Sequence, residues 1–549
     1  MARRGQAYPQ ATSTAADLID GALVSAPATL SATDGLRLAR HRHAEVLAVG
    51  ARGWVLREDL VRAAALGIGT LALGELGRRL PVLAPRESEV RVRRHLAGGA
   101  PAVVVGERRA TLGVVRRAPP PVTLSLKPRF ERWLDANGRD LLATAGRLAA
   151  GHGARAFVVG GLVRDAVLER SSAVHDLDVV VEGDALAVAR ALADAVGGVL
   201  VEHERFLTAS VTLPDRRRVD LVTARSERYE RPGALPHVLP ALIAQDLRRR
   251  DFTVNTLAVE LASGGFGLLD PLGGSADIAR RRLRILHPLS FAEDPTRIFR
   301  AARYAARLGF ALDPWSARCQ ALALTLAPYP ALSPARIVAE LERILADADP
   351  ATALMGLARA GAFRLLTPRF RTTRAGITRL RAVPETLAWM RARAVAAPPL
   401  ELLATALVAD QTVEIGAATL RGLGLSGAPL ERVRQTLAGA DALASSLGVA
   451  RRSEAARALR AASPTALAWL HLTGDAASRE RLDGLSAVMH AERPMLGGGE
   501  AIALGVPPGP DIATVLAGVR DARLEGEIRD RQGEIDYVKA WVQTRKKEG

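Results

Sequence analysis

The stretch from Ala154 to Asp184, ARAFVVGGLVRDAVLERSSAVHDLDVVVEGD, decides how this chain is read. Inside it, Val174-His-Asp-Leu-Asp-Val-Val-Val181 places two carboxylates, Asp176 and Asp178, at the head of an apolar run that reads as a buried strand. Side chains two apart in a strand leave the same face. Two carboxylates so placed raise each other's pKa unless a cation occupies the gap. Oxygen-only ligands at this spacing suit Mg²⁺, which takes few protein carboxylates and leaves room for water and substrate phosphates. An isolated Asp-x-Asp is more often a solvated strand end. The residues upstream change that balance. Ala154–Val159 is a short apolar run, Gly160 and Gly161 follow at once, and Leu162–Leu168 reads as a helix. Strand, glycine turn and helix start together present free backbone N–H groups to an anion. The glycines let backbone approach a phosphate closely, and Arg164 adds a fixed positive fork.

The string from Gly160 to Asp184 resembles the first motif of the nucleotidyltransferase superfamily branch that holds bacterial tRNA nucleotidyltransferases and poly(A) polymerases. Val181-Glu-Gly-Asp184 leans toward the tRNA enzymes. Asp246–Leu257, DLRRRDFTVNTL, is similar to that family's RRDFTxNA motif, with Thr256 in place of alanine. Asp270-Pro-Leu-Gly-Gly274, with Asp277 following, looks like the next motif, which orients the head and is read as structural. The string from His287 to Phe310 continues the match, and Leu504–Ile528 looks like the family's C-terminal helical segment. The resemblance implies that Asp176 and Asp178 hold Mg²⁺ and that Gly160, Gly161, Arg164 and Asp165 belong to the nucleotide site. It gives Arg250 to the triphosphate and Asp251 to the ribose, with Asn255 in the same motif. A guanidinium is a good bidentate phosphate partner.

The base-reading element is Glu293–Arg303, EDPTRIFRAAR. Pro295 suits the first helical position, so Asp294 reads equally as a helix cap. Asp294 and Arg297 are three apart and share one side, with Arg300 and Arg303 continuing the stripe. An Asp accepts from an exocyclic amine and an Arg donates to a ring nitrogen. Cytosine and adenine both present an amine beside an unprotonated ring nitrogen. Uracil and guanine present a carbonyl beside an N–H, which strands buried groups at about 1–3 kcal/mol each. The resemblance gives Asp294 and Arg297 this selective role and turns Arg300 and Arg303 toward the phosphates. Asp220, in the alternating run Arg218–Arg225, is a candidate third catalytic carboxylate. Pairing with a neighbouring arginine is its equal alternative.

The chain has 549 residues, 48% of them hydrophobic, enough for several cores. Its net charge of +17, mostly from arginine, points to a polyanionic partner, although a compositional bias toward Arg and Ala contributes. A single cysteine, Cys319, excludes an internal disulfide and a Cys-based zinc site, and fits a reducing cytoplasm. No apolar run reaches membrane-spanning length and the N-terminus lacks a signal-peptide core, so no membrane partner is expected and a cytoplasmic location is. The expected fold is α+β and multidomain. Residues 1–27 read as a flexible N-terminus and 28–118 as a small α/β module resembling a degenerate CBS pair. In its first copy Asp59 survives while Leu56 replaces the usual hydroxyl, which favours an architectural or RNA-side role. Residues 119–149 read as linker and helix, 150–285 as the nucleotidyltransferase head, 286–345 as a helical neck and 346–549 as an all-helical, tRNA-binding body and tail. The implied activity is template-independent addition of C, A or both to the tRNA 3′ end from CTP and ATP, with a poly(A) polymerase or a non-catalytic RNA-binding or nucleotide-sensing protein as rivals. The loop Ser226–Arg248 differs among subtypes, and the module leans slightly toward a partial CC- or A-adding activity.

Overall fold

The computed structural model describes residues 13–107, 110–116, 124–170, 176–204, 207–261, 266–448, 451–491 and 494–548. The chain divides into two compact units, Met1–Ser333 and Pro334–Gly549. The first opens with one motif used twice. Strand β1 (Ala22–Ser25) runs parallel to β2 (Ala44–Ala48), and β2 pairs antiparallel with β3 (Trp54–Leu56). Strands β4 (Val82–Leu83), β5 (Val103–Glu107) and β6 (Ala110–Val115) repeat that order and those directions. Parallel neighbours need a crossover, here the helices Ala32–His41 and Glu89–Ala97. Val46 and Leu56 of the first copy share a core with Val104 and Val114 of the second.

One expectation changes in this module. Its start lies by Thr14 rather than at residue 28, because Thr14 bridges Ser88, Ala15 is fully buried and Leu18 and Ile19 pack beside it. Three apolar residues anchor a segment whose Ala, Ser and Thr content reads as loose chain. Asp59 is fully buried and accepts from Arg78 at 2.5 Å, so it serves the module's interior.

The head is one eight-stranded sheet. Its members are β7 (Leu124–Ser125), β8 (Arg155–Val159), β9 (Asp176–Glu182), β10 (Val199–His203), β11 (Thr208–Thr212) and β12 (Arg218–Thr223), joined by β15 (Ala258–Glu260) and β16 (Gly267–Leu269). The order across it is β10-β11-β12-β9-β8-β15-β16-β7, so β9 and β12 are inner strands. Leu177, Val179, Val180 and Val181 are all buried, which is why this strand carries an unbroken apolar run. The head reaches back to Leu124: β7, inside the segment expected as linker, completes the sheet edge against β16. Ser226–Arg248, expected as a loop, contains the hairpin β13 (Arg225–Arg228) and β14 (His237–Pro240) and the helix Ile243–Arg248. Tyr229 from this segment and Leu289 from the neck sit in the core of the module's first copy. Asp277 accepts from the Thr253 hydroxyl at 2.6 Å and from Arg284 at 2.8 Å, so this motif is a brace, as expected.

The first unit ends at Ser333, so the helix Pro334–Ala346 belongs with the second unit rather than with the neck. Among the described residues the second unit is built of helices without strands, and none is long and apolar enough to cross a membrane. Its last helices close around Leu496, Val515, Val519 and Val538. Beside that core the fully buried Glu534 accepts from Arg523 at 2.9 Å and from the backbone N–H groups of Met495 and Leu496. Removing one partner of a buried pair leaves an uncompensated charge. Arg523→Ala is therefore expected to destabilise this unit by ~3–5 kcal/mol in urea unfolding, and Arg523→Ala/Glu534→Gln by clearly less. Equal losses would contradict the pairing.

Candidate active site

The sheet register brings the acidic residues together. β9 and β12 are parallel, with Asp178 opposite Asp220 and Asp176 opposite Arg218. Adjacent strands lie about 4.8 Å apart, so Asp178 and Asp220 spring from neighbouring points of the sheet. The Asp178 side chain is exposed and that of Asp220 half-buried. The side chain of Asp176 lies outside the described set; its backbone holds the position two before Asp178. Asp220 accepts from the Ser210 hydroxyl at 2.5 Å and from Arg218 Nε at 2.7 Å. Both readings of Asp220 thus meet in the structure: it lies beside the metal-type carboxylate and it pairs with an arginine. Among the described residues no group of three or more His, Cys, Asp or Glu is close enough to hold a metal ion by itself.

The glycine turn closes on the same point. β8 pairs antiparallel with β9, Val158 opposite Val179. β8 ends one residue beyond that pair, so the glycine turn begins at the same end of the sheet as Asp178. Gly160 has φ +70° and ψ −123° at the start of the helix Gly161–Val167, a conformation that excludes a side chain. A Cβ on Gly160 would meet Arg250 Nη1 at 3.4 Å, and one on Gly161 would meet Arg164 Nη2 at 3.7 Å. The Gly160 backbone N–H donates to the Leu257 carbonyl at 3.2 Å, which docks the end of the RRDFT segment against the turn.

Arg164, Arg250, Arg297 and Arg300 are each held by a carboxylate, an amide or a carbonyl. Arg164, 2% exposed, donates to Asp165 at 2.9 Å and to Asn255 Oδ1 at 2.9 Å. Asn255 Nδ2 donates to Asp251 at 3.0 Å, and the other Asp251 oxygen takes Arg300 Nε at 2.8 Å. Burial alone would raise the Asp251 carboxyl; the Arg300 guanidinium and the Asn255 amide outweigh it and hold it low. The chain Arg164–Asn255–Asp251–Arg300 thus links the glycine turn, the RRDFT segment and the neck. The neck helix Thr296–Leu308 carries Arg297, Arg300 and Arg303. Asp294 lies just before it and accepts from the Thr296 backbone and hydroxyl at 3.1 and 2.6 Å, so the capping role is realised. Arg297, 5% exposed, donates to the Ser290 hydroxyl at 2.7 Å and to the Arg249 carbonyl at 2.9 Å.

Three contributors have no assigned role in the sequence reading. Asp246, fully buried, accepts from Arg249 Nη2 at 2.7 Å and Arg250 Nη2 at 2.8 Å and so fixes both guanidinium groups. Burial would raise its carboxyl, but the two arginines hold it below the ordinary range. Its signal was the i, i+3, i+4 spacing to Arg249 and Arg250. Tyr304 follows Arg300 by one turn, accepts from it at 3.2 Å, and lies under Arg164 as well, 5.6 Å from guanidinium to ring centre. Glu293 reaches outside the head: it accepts from Arg62 of the N-terminal module at 3.1 Å, and its other oxygen lies 3.2 Å from His287 Nε2. No local pattern marks that last contact.

Asp246→Asn removes the charge that aligns Arg249 and Arg250. It is expected to raise the nucleotide KM about tenfold, roughly 1.4 kcal/mol, with little loss of secondary structure; an unchanged KM would contradict the role. Burial pushes His287 down to about 4, aided by Arg62, against the pull of Glu293, so the imidazole is neutral. As pH falls from 6.5 toward 4 the unfolded chain takes up a proton that the native chain refuses, and stability falls by at most ~1.4 kcal/mol per unit. The stability of the wild type relative to His287→Gln is expected to decline across that window in urea titrations. A pH-independent difference would contradict a neutral His287.

Residues 156–284 match the family model described as the poly A polymerase head domain. A CC-adding tRNA nucleotidyltransferase of Deinococcus radiodurans is 35% identical over 77% of this chain and 96% of its own length. An A-adding tRNA nucleotidyltransferase of Geobacter sulfurreducens is 41% identical over 39% of this chain and 24% of its own, so the chain spans only about a quarter of that relative. A CCA-adding enzyme solved in an apo form superposes with a TM-score of 0.68 at 26% identity, covering 76% of this chain and 99% of that one. With the glycine turn, the Asp-bearing strand, the RRDFT segment and the neck helix converging as described, the chain belongs to the tRNA nucleotidyltransferase family.

Proposed function

We propose that this protein adds C, A or both to the 3′ end of tRNA from CTP and ATP, without a nucleic-acid template, and releases pyrophosphate. The observation that carries this reading is the register that seats Asp178 beside Asp220 on inner strands, with Gly160 and Arg250 closing on the same point. In the reaction the tRNA 3′-oxygen bonds to the α-phosphorus as the bond to the β-phosphate oxygen breaks. Asp176 and Asp178 are the residues that would hold divalent ions, and the oxygen-only donor set with an exposed Asp178 fits Mg²⁺. Such ions supply acidification of the attacking hydroxyl and neutralisation of charge on the α-phosphate.

The remaining steps belong to the chain. Ser210 and Arg218 aim the Asp220 carboxylate at the site of attack. Asp246 holds Arg250 toward the triphosphate, and the Asn255–Asp251–Arg300 relay presents an acceptor at the ribose. Asp294 and Arg297 read the amine and the ring nitrogen that C and A share, with Arg300 and Arg303 on the phosphate side. The helical second unit takes the tRNA acceptor arm through phosphate contacts, reading shape rather than sequence. The two matching three-stranded halves of the N-terminal module support its reading as a degenerate CBS-like pair with an architectural role, since Asp59 is sealed against Arg78. A cytoplasmic location follows from the substrate.

The test offers each nucleoside triphosphate singly to tRNA transcripts lacking the whole CCA end or only the last A. Incorporation of C on the first, A on the second, or both is expected, stopping at the natural end. UTP and GTP should react at least about 30-fold more slowly, since stranding two groups costs upwards of ~2 kcal/mol. Asp178→Asn should lower the rate by about 10³-fold or more. Addition of neither C nor A, or an open-ended A tail, would overturn the reading.

A further inference from the structure

Between the N-terminal module and the segment Arg248–Arg318 lies a cleft of about 1140 Å³. It is separate from the site already described: no Gly160, Asp178, Asp220, Arg250, Asp251 or Arg297 lines it. Nine arginines face it against four carboxylates. Five of those arginines are engaged by the protein: Arg62 by Glu293, Arg78 by Asp59, Arg116 by Glu45, Arg284 by Asp277, and Arg318 by the Gly77 carbonyl. Among the described residues the side chains of Arg52, Arg79, Arg248 and Arg282 have no ion-pair or hydrogen-bond partner.

Buried donors in the lining are also left without acceptors. Arg78, 7% exposed, has no partner for Nε. Arg62 Nε and the Trp315 indole N–H, both on lining residues, are likewise unpartnered. A buried donor without an acceptor costs about 1–3 kcal/mol, and four like charges around one cavity repel. A multiply charged anion relieves that repulsion. A single carboxylate has too few oxygens and too little charge for this number of forks, whereas a chain of phosphates has both, and guanidinium groups match it in geometry. The volume lies just above the usual range for small-ligand sites, about 300–1,000 Å³.

We propose that this cleft is a second anion site that binds a polyphosphate-bearing small molecule, either an inorganic polyphosphate or a nucleoside triphosphate. The test is isothermal titration of the full-length protein with inorganic tripolyphosphate and, separately, ATP, in EDTA to weaken metal-dependent binding at the catalytic centre. The comparison protein is Arg79→Ala/Arg282→Ala, two exposed positions outside the catalytic machinery. The intact chain is expected to bind tripolyphosphate, and the double variant to bind it at least tenfold more weakly while still adding nucleotides to tRNA. Tighter binding of ATP than of tripolyphosphate, lost in the variant, assigns a nucleoside to the ligand; equal loss for both assigns the phosphate chain alone. Unchanged tripolyphosphate affinity in a folded double variant would overturn the proposal. So would no measurable binding to the intact chain, or a variant that loses affinity for tRNA and not for tripolyphosphate.

Discussion

Parallel pairing of two inner strands holds Asp178 next to Asp220, and the rest of the site is arranged around that concentration of negative charge. Leu177 and Val179–Val181 of the same strand are buried, so the sheet tolerates that charge only at an end open to solvent. It does so where β8 ends and the glycine turn begins. Gly160, at positive φ, puts no side chain there, and Arg250 Nη1 lies 3.4 Å from where its Cβ would stand.

The positive half is built differently. Arg164, Arg250, Arg297 and Arg300 are largely buried or half-buried, and each is fixed in advance by Asp165, Asp246, a Ser290 hydroxyl or Asp251. Holding a guanidinium this way sacrifices part of its attraction for phosphate and gains a fixed geometry, which is what positioning catalysis needs. The same network ties three segments distant in sequence into one body. Arg62 and Tyr229 extend it to the N-terminal module, so that module is joined to the neck by an ion pair and by shared apolar packing.

Local chemistry was legible and long-range register was not. The Asp176–Asp178 spacing, Gly160–Gly161 and the RRDFT string are each set within a few residues, and the head family model matches residues 156–284 around them. The partnership of Asp178 with Asp220 depends on which strands become neighbours, and no short pattern encodes it. Asp246 was quoted as the first residue of its motif, but its hold on Arg249 and Arg250 appears only once that turn is buried. Residues 14–25 have a composition typical of loose chain, and the three that anchor them, Ala15, Leu18 and Ile19, are too few to show in it. The segment after Arg225 resembles a loop that differs among subtypes, whereas its ends pair as a hairpin.

The most direct measurement is anomalous diffraction from crystals of the protein grown with Mn²⁺ and CTP or ATP. The account predicts anomalous peaks about 2.1 Å from carboxylate oxygens of Asp176 and Asp178, each shared with a phosphate oxygen of the nucleotide. Peaks elsewhere, or a bound triphosphate with the Asp178 carboxylate turned away from it, would contradict it.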